Sequence, residues 1–195
     1  MDDAARMEAL LDRWPGTRVL VLGDAMLDHY IWGEAGRISP EAPVPVVGVR
    51  RESSRLGGAA NVAHNVRELG GEPLLVSVIG RDEAGRALRR ELALREIATE
   101  SLLLDADRPT IKKTRVIARS QQIVRIDRED LSEVTGATLE ALSERIADLL
   151  PQAQGVVISD YGKGVVSRVL IETWLPRFRR QGLPVCVDPK ETQFH

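Results

Sequence analysis

Leu56-Gly57-Gly58-Ala59-Ala60-Asn61-Val62-Ala63 reads as a turn that becomes a helix, with an asparagine one turn in. Paired glycines let a ligand approach the backbone, because no Cβ intervenes. The helix that follows directs its free N–H groups back at the same spot, which favours hydroxyls and anions. Asn61 adds a side chain that donates and accepts. Thirty residues upstream, Val19-Leu20-Val21-Leu22-Gly23-Asp24-Ala25-Met26-Leu27-Asp28 is an apolar run closing on two acids. Open α/β sheets place ligands at the carboxyl ends of buried strands. Asp24, Asp28, Gly57, Gly58 and Asn61 are therefore the first candidates for a site that holds sugar hydroxyls.

Working outward, strand and helix alternate. Strands are expected over 18–23, 74–79, 101–104, 156–158 and 185–187, and helices over 4–13, 59–69, 82–96, 139–150 and 165–180. All-apolar Val156-Val157-Ile158 suits a central parallel strand. The rhythm predicts a layered α/β fold with a mostly parallel sheet. Two segments break it. Residues 30–51, with Pro40, Pro43 and Pro45, and a hairpin over 111–127 turning at Ser120-Gln121 read as a small β-lid. The alternation in 111–116 is poor, which leaves the hairpin register open.

Bulk composition narrows the function. Twenty-seven basic against 29 acidic residues give a net charge of −2, so the basic stripe of a nucleic-acid binder is missing. No run approaches the ~20 apolar residues of a membrane span, and the N-terminus lacks an apolar signal core. A cytoplasmic protein is expected. Cys186, the single cysteine, lies in an apparent core strand and reads as a small buried hydrophobe. His29, His64 and His195 are not spaced for a metal, and no metal ligands are assigned. No Gly-x-Gly-x-x-Gly follows the first strand, which argues against a dinucleotide module.

Lys112, Lys113, Arg115, Arg119 and Arg125 collect on the lid hairpin and would suit a phosphate, Arg119 foremost and Lys113 next. Asp160 and Lys163 follow a buried strand in the cleft-facing position, as Lys190 does after Asp188-Pro189. Arg81-Asp82-Glu83-Ala84-Gly85 reads as structural, with Asp82 capping a helix.

Gly57-Gly58-Ala59-Ala60-Asn61-Val62-Ala63 resembles the first signature of the ribokinase-like (PfkB) carbohydrate kinases. More specific are Arg37-Ile38-Ser39-Pro40-Glu41-Ala42-Pro43-Val44-Pro45-Val46, Arg119-Ser120-Gln121-Gln122 with Arg125-Ile126-Asp127, Ser159-Asp160-Tyr161-Gly162-Lys163-Gly164 and Asp188-Pro189-Lys190. They are similar to the branch of that family acting on D-glycero-D-manno-heptose 7-phosphate. The resemblance covers residues 15–195. It implies a layered α/β/α domain with a β-lid, ATP and Mg²⁺ as cofactors, and phosphorylation of the anomeric oxygen on the way to lipopolysaccharide. It also implies a homodimer joined through the lids. Asp24, Asp28, Gly57, Gly58 and Asn61 then fall on the family's sugar-hydroxyl positions.

The family's later Asp-Thr-x-Gly-Ala-Gly-Asp segment, source of the catalytic aspartate, has no counterpart in residues 1–195. No catalytic residue is assigned, and the chain is read as one incomplete domain that ends before the ATP-binding half and is inactive alone. Another sugar or nucleoside kinase of the same fold, or a sugar-binding fragment without turnover, remain the alternatives.

Overall fold

The computed structural model describes residues 3–189. Lys190 lies outside them. An exposed helix α1 (Asp3–Leu11) leads into β1 (Arg18–Gly23). One residue later begins β2 (Ala25–Ile38), which pairs antiparallel with β3 (Pro45–Gly58). There follow α2 (Ala59–Glu68), β4 (Glu72–Gly80), α3 (Glu83–Ala93) and β5 (Leu102–Asp105). The hairpin β6 (Ile111–Ala118) and β7 (Gln121–Arg128) precedes α4 (Gly136–Leu149), β8 (Gly155–Ser159), α5 (Arg168–Arg180) and β9 (Val185–Asp188).

Two sheets result. The first runs β5-β4-β1-β8-β9, parallel throughout. Its β1 residues feed both layers. Val19 and Val21 pack with Ala59, Ala63, Leu88 and Leu92 of α2 and α3. Leu20 and Leu22 pack with Leu142, Ile146, Leu170, Trp174 and Phe178 of α4 and α5. Burial on both faces explains the uninterrupted apolar run, because each such side chain contributes about 2 kcal/mol wherever it points. The expected α/β/α layering is thus present.

The second sheet, β3-β2-β6-β7, is the lid. It is larger than the segments 30–51 and 111–127 suggested. The strand pair β2 and β3 starts at Ala25 and ends at Gly58, so Asp28 stands on a lid strand and not at the carboxyl end of β1. Gly57-Gly58 likewise closes a strand that runs into α2 with no intervening loop. Pro40 and Pro43 fall in the connection and Pro45 starts β3 on the sheet edge, where a missing N–H costs no ladder bond.

Smaller differences have local causes. The hairpin turns at Arg119-Ser120, both in the left-handed region (φ 49° and 65°), one residue earlier than expected. Residues 112–117 are half-buried on both faces, which accounts for the poor alternation, and a bulge lies between Val116 and Ile117. Cys186 is exposed, because β9 pairs only with β8 among the described residues. Pro176 is carried inside α5, whose buried Leu170, Trp174 and Phe178 hold the helix across the missing bond to the Glu172 carbonyl.

Candidate functional site

A cavity of about 440 Å³ lies between the inner face of the lid and the start of α2. Strand alternation decides which side chains enter it. In one transverse row Asp28 of β2 is flanked by Arg55 of β3 and Lys113 of β6. In the next row Tyr30 stands beside Arg115, which faces Arg125 of β7. The cavity wall thus carries four cations and one carboxylate, with Gly57, Gly58, Asn61 and Tyr161 at its base.

The glycines are there for space. A Cβ on Gly57 would stand 2.6 Å from Asp28 Oδ2. Gly58 has φ 55°, and a Cβ there would meet the Asp24 carbonyl oxygen at 2.1 Å. That carbonyl accepts the Ala59 N–H (3.0 Å), which seats the first turn of α2 against the end of β1.

Charges within the cavity are partly paired. Arg115 donates to Asp28, and its guanidinium, though partly desolvated, is held above its usual basicity by that carboxylate. Arg125 Nε donates to Asp127 (2.9 Å). Lys113 Nζ donates to Asp127 and to Glu129, both at 3.2 Å. Glu129 also accepts from Lys163 Nζ at 2.7 Å, joining the lid to the loop after β8. Partial burial opposes ionisation of Glu129, yet the two ammonium groups win and hold its carboxyl below the usual range. Asp127 is lowered in the same way against its own desolvation, by Arg125 and Lys113.

These shifts have a consequence for stability. A carboxyl lowered on folding stabilises the fold above its unfolded pKa, 4.5 for Glu129, and that contribution is lost as pH falls through the folded value. The denaturation midpoint of the wild-type chain is expected to drop between about pH 6 and about pH 3. Glu129→Gln should start lower at pH 6 and fall less over that interval, as urea titrations at both pH values would show. Equal slopes would remove Glu129 from the account.

The structure separates the candidates. Asp28, Gly57, Gly58, Asn61 and Lys113 line the cavity. Asp24 does not. It is fully buried, and its two oxygens accept the N–H groups of Tyr161 (2.9 Å), Lys163 (3.1 Å) and Val165 (3.1 Å). Burial raises its carboxyl above the usual range despite those three donors, and Asp160 nearby adds to the rise. Asp24 is not among the residues that line the cavity; it staples residues 161–165. Asp160 and Lys163 are nine-tenths buried in that stapled loop. Asp160 accepts the Gly162 N–H (2.8 Å), and the Lys163 ammonium is committed to Glu129. Arg119 sits exposed at the hairpin tip, away from the cavity lining, because the two-residue turn carries it past the end of the sheet.

The cavity also takes Arg55, Tyr30 and Tyr161, none of them a candidate from the sequence alone, and among the hairpin cations it takes Arg115 and Arg125 in place of Arg119. Arg55 and Tyr30 were readable from Gly57 and Asp28 once both were placed on strands, since residues two apart share a face. Tyr161 carried no such signal. Among the described residues no group of three or more His, Cys, Asp or Glu is arranged to hold a metal, and no helix is long and apolar enough to cross a membrane.

A parallel α/β/α layer with a sheet-lid over a polar cavity is the architecture of the ribokinase-like carbohydrate kinases. The chain belongs to the pfkB family of carbohydrate kinases, whose profile matches residues 17–195. It is 45% identical over 192 residues to the bifunctional protein HldE of Pelobacter propionicus, which covers 98% of this chain and 39% of that protein. It is 48% identical over 179 residues to the D-beta-D-heptose 7-phosphate kinase of Bordetella bronchiseptica, covering 92% of this chain and 56% of the relative. The chain therefore spans about two fifths to just over half the length of these curated relatives. Among solved structures, a carbohydrate kinase from Agrobacterium tumefaciens superposes with a TM-score of 0.68 at 17% identity, over 88% of this chain and 53% of the other. Arabidopsis thaliana ribokinase complexed with ribose and ATP gives 0.60 at 17% identity, over 89% and 53%. Both support the fold.

Proposed function

We propose that this chain forms the sugar-phosphate-binding part of a kinase that transfers a phosphoryl group from ATP to the anomeric O1 of D-glycero-D-manno-heptose 7-phosphate. The product would be the 1,7-bisphosphate, a precursor of ADP-heptose and the lipopolysaccharide core, made in the cytoplasm. The observation that carries the reading is the cavity wall, where one carboxylate beside a glycine floor stands among four cations. Asp28 accepts hydrogen bonds from sugar hydroxyls and fixes the sugar's orientation. Asn61 and the start of α2 supply further donors. Arg55, Lys113, Arg115 and Arg125 then face the phosphate already on the substrate, and guanidinium forks suit its oxygens. The name of the Bordetella bronchiseptica relative, a D-beta-D-heptose 7-phosphate kinase, favours this sugar phosphate over others of similar size.

ATP would supply the transferring phosphoryl group, and Mg²⁺ would neutralise charge on it. Among the described residues no acidic cluster is arranged to hold Mg²⁺. What this chain's residues contribute is positioning and the exclusion of water by the lid, which suppresses hydrolysis in place of transfer. Pairing of two copies through their lids belongs to the same reading. Val124 and Ile126 alternate with Arg125, which lines the cavity, and leave apolar surface exposed on the outer face.

Calorimetric titration tests the substrate. Heptose 7-phosphate is expected to bind, and fructose 6-phosphate to bind at least ~10-fold more weakly, a difference of about 1.4 kcal/mol. Equal affinities would move the assignment to another sugar kinase, and no binding by a folded sample would leave the fragment without its proposed ligand.

A further inference from the structure

Tyr30 stands between two guanidinium groups, one from each neighbouring strand. The Arg55 Cζ is 5.7 Å from its ring centroid and the Arg115 Cζ 5.4 Å. Trp32, two residues further along the same face, stacks on Tyr30 at 6.1 Å with 17° between the rings. Trp32 donates its indole N–H to Ser53 Oγ and carries Arg51 at 5.1 Å from its centroid. Two stacked rings flanked by cations at either end thus run along β2, and the inner end is in the cavity.

The two inner arginines are held differently. Arg115 has Asp28 as an ion-pair partner. Arg55 has no ion pair among the described residues; its cation–π contact with the Tyr30 ring stands in that place. An arginine freezes about 2 kcal/mol of rotamer freedom when it is ordered. A ring that orders it beforehand removes part of that cost from ligand binding.

The geometry points to Tyr30 as a positioning residue that presets Arg55 and Arg115 as a pair for the phosphate end of the substrate. Discrimination between phosphorylated and unphosphorylated sugar then passes through this ring. The inference rests on the sugar-phosphate reading above and names the phosphate subsite within it. The ring face matters and the phenol hydroxyl does not, because cations are drawn to the π face.

The experiment is calorimetric titration of the wild-type chain, Tyr30→Leu and Tyr30→Phe with heptose 7-phosphate, with unphosphorylated heptose and with inorganic phosphate. Tyr30→Leu is expected to bind both phosphate-bearing ligands about 10-fold more weakly, with unphosphorylated heptose unchanged. Tyr30→Phe should stay within about 2-fold of wild type for all three. Retained phosphate affinity in Tyr30→Leu, a Tyr30→Phe loss as large, or an equal loss for both sugars would overturn the inference. Should Tyr30→Leu fail to fold, Arg55→Lys keeps the charge and weakens the stack; it must lose affinity for the phosphate-bearing ligands alone, or the inference falls. A wild-type chain that binds inorganic phosphate with no preference for heptose 7-phosphate over fructose 6-phosphate sinks the substrate assignment. The ring test with inorganic phosphate then still decides the inference. Wild type that binds no phosphate-bearing ligand overturns both.

Discussion

Asp24→Asn is expected to lower the melting temperature by about 6–12 °C, a loss of about 3 kcal/mol in a domain of this size. The substitution preserves shape, so the effect isolates hydrogen bonding. Three backbone N–H groups converge on the Asp24 carboxylate, two on Oδ2 and one on Oδ1. An amide turned either way puts its NH₂ against at least one of them. A buried donor left without an acceptor costs about 1–3 kcal/mol, and a facing donor adds repulsion. Relief from burying a charge offsets part of this, since burial already raises the Asp24 pKa. Thermal denaturation followed by circular dichroism would decide it. An unchanged melting temperature would mean that the loop after β8 does not depend on the staple.

Asp28→Asn should act on binding and leave the fold largely intact. Affinity for heptose 7-phosphate is expected to fall about 10- to 100-fold, the value of a charge-assisted hydrogen bond of about 1.5–3 kcal/mol. Inorganic phosphate should bind as well as before or better, because Asp28 also neutralises Arg115 and the substitution frees that guanidinium. The opposite signs are the diagnostic feature. A parallel loss for both ligands would show that Asp28 serves only to hold Arg115 in place.

The two aspartates also mark how far the sequence could be read. Both close one apolar run, and both fall on sugar-hydroxyl positions of a resembling family. What separates them is a change of sheet at residue 24, which hydrophobicity does not report, since Ala25, Met26 and Leu27 are as buried as Val21 and Leu22. The parallel sheet, its helices and the existence of a lid were legible, because burial on both faces and proline placement write directly into composition. The cation row was half legible. Charges on the hairpin were visible, but which of them turn inward depends on a bulge at Val116 and on a turn at Arg119-Ser120. Arg119 looked the best phosphate ligand and lies at the tip, whereas Arg115, four residues earlier, lines the wall. Lys163 shows a third kind of limit. Its position after a buried strand was right, but its commitment to Glu129 is a contact between segments 34 residues apart.

The root of the lid is narrow. Strand β2 leaves the core one residue after Gly23, β3 returns to it at Gly58, and the Ala59 N–H to Asp24 carbonyl bond ties the two there, while the Lys163–Glu129 pair joins the lid to the core a second time. From that clamp a ribbon of 14 residues per strand projects outward. Mechanically it is a cantilever about 45 Å long, stiffened on one side by β6. A rotation of about 10° at the clamp would carry its far end through about 8 Å, while Asp28, three residues from the root, would move by less than about 3 Å. Such a lever opens widely at the mouth and keeps the sugar contacts nearly still, so substrate could enter and leave without the hydroxyl-binding groups being taken apart.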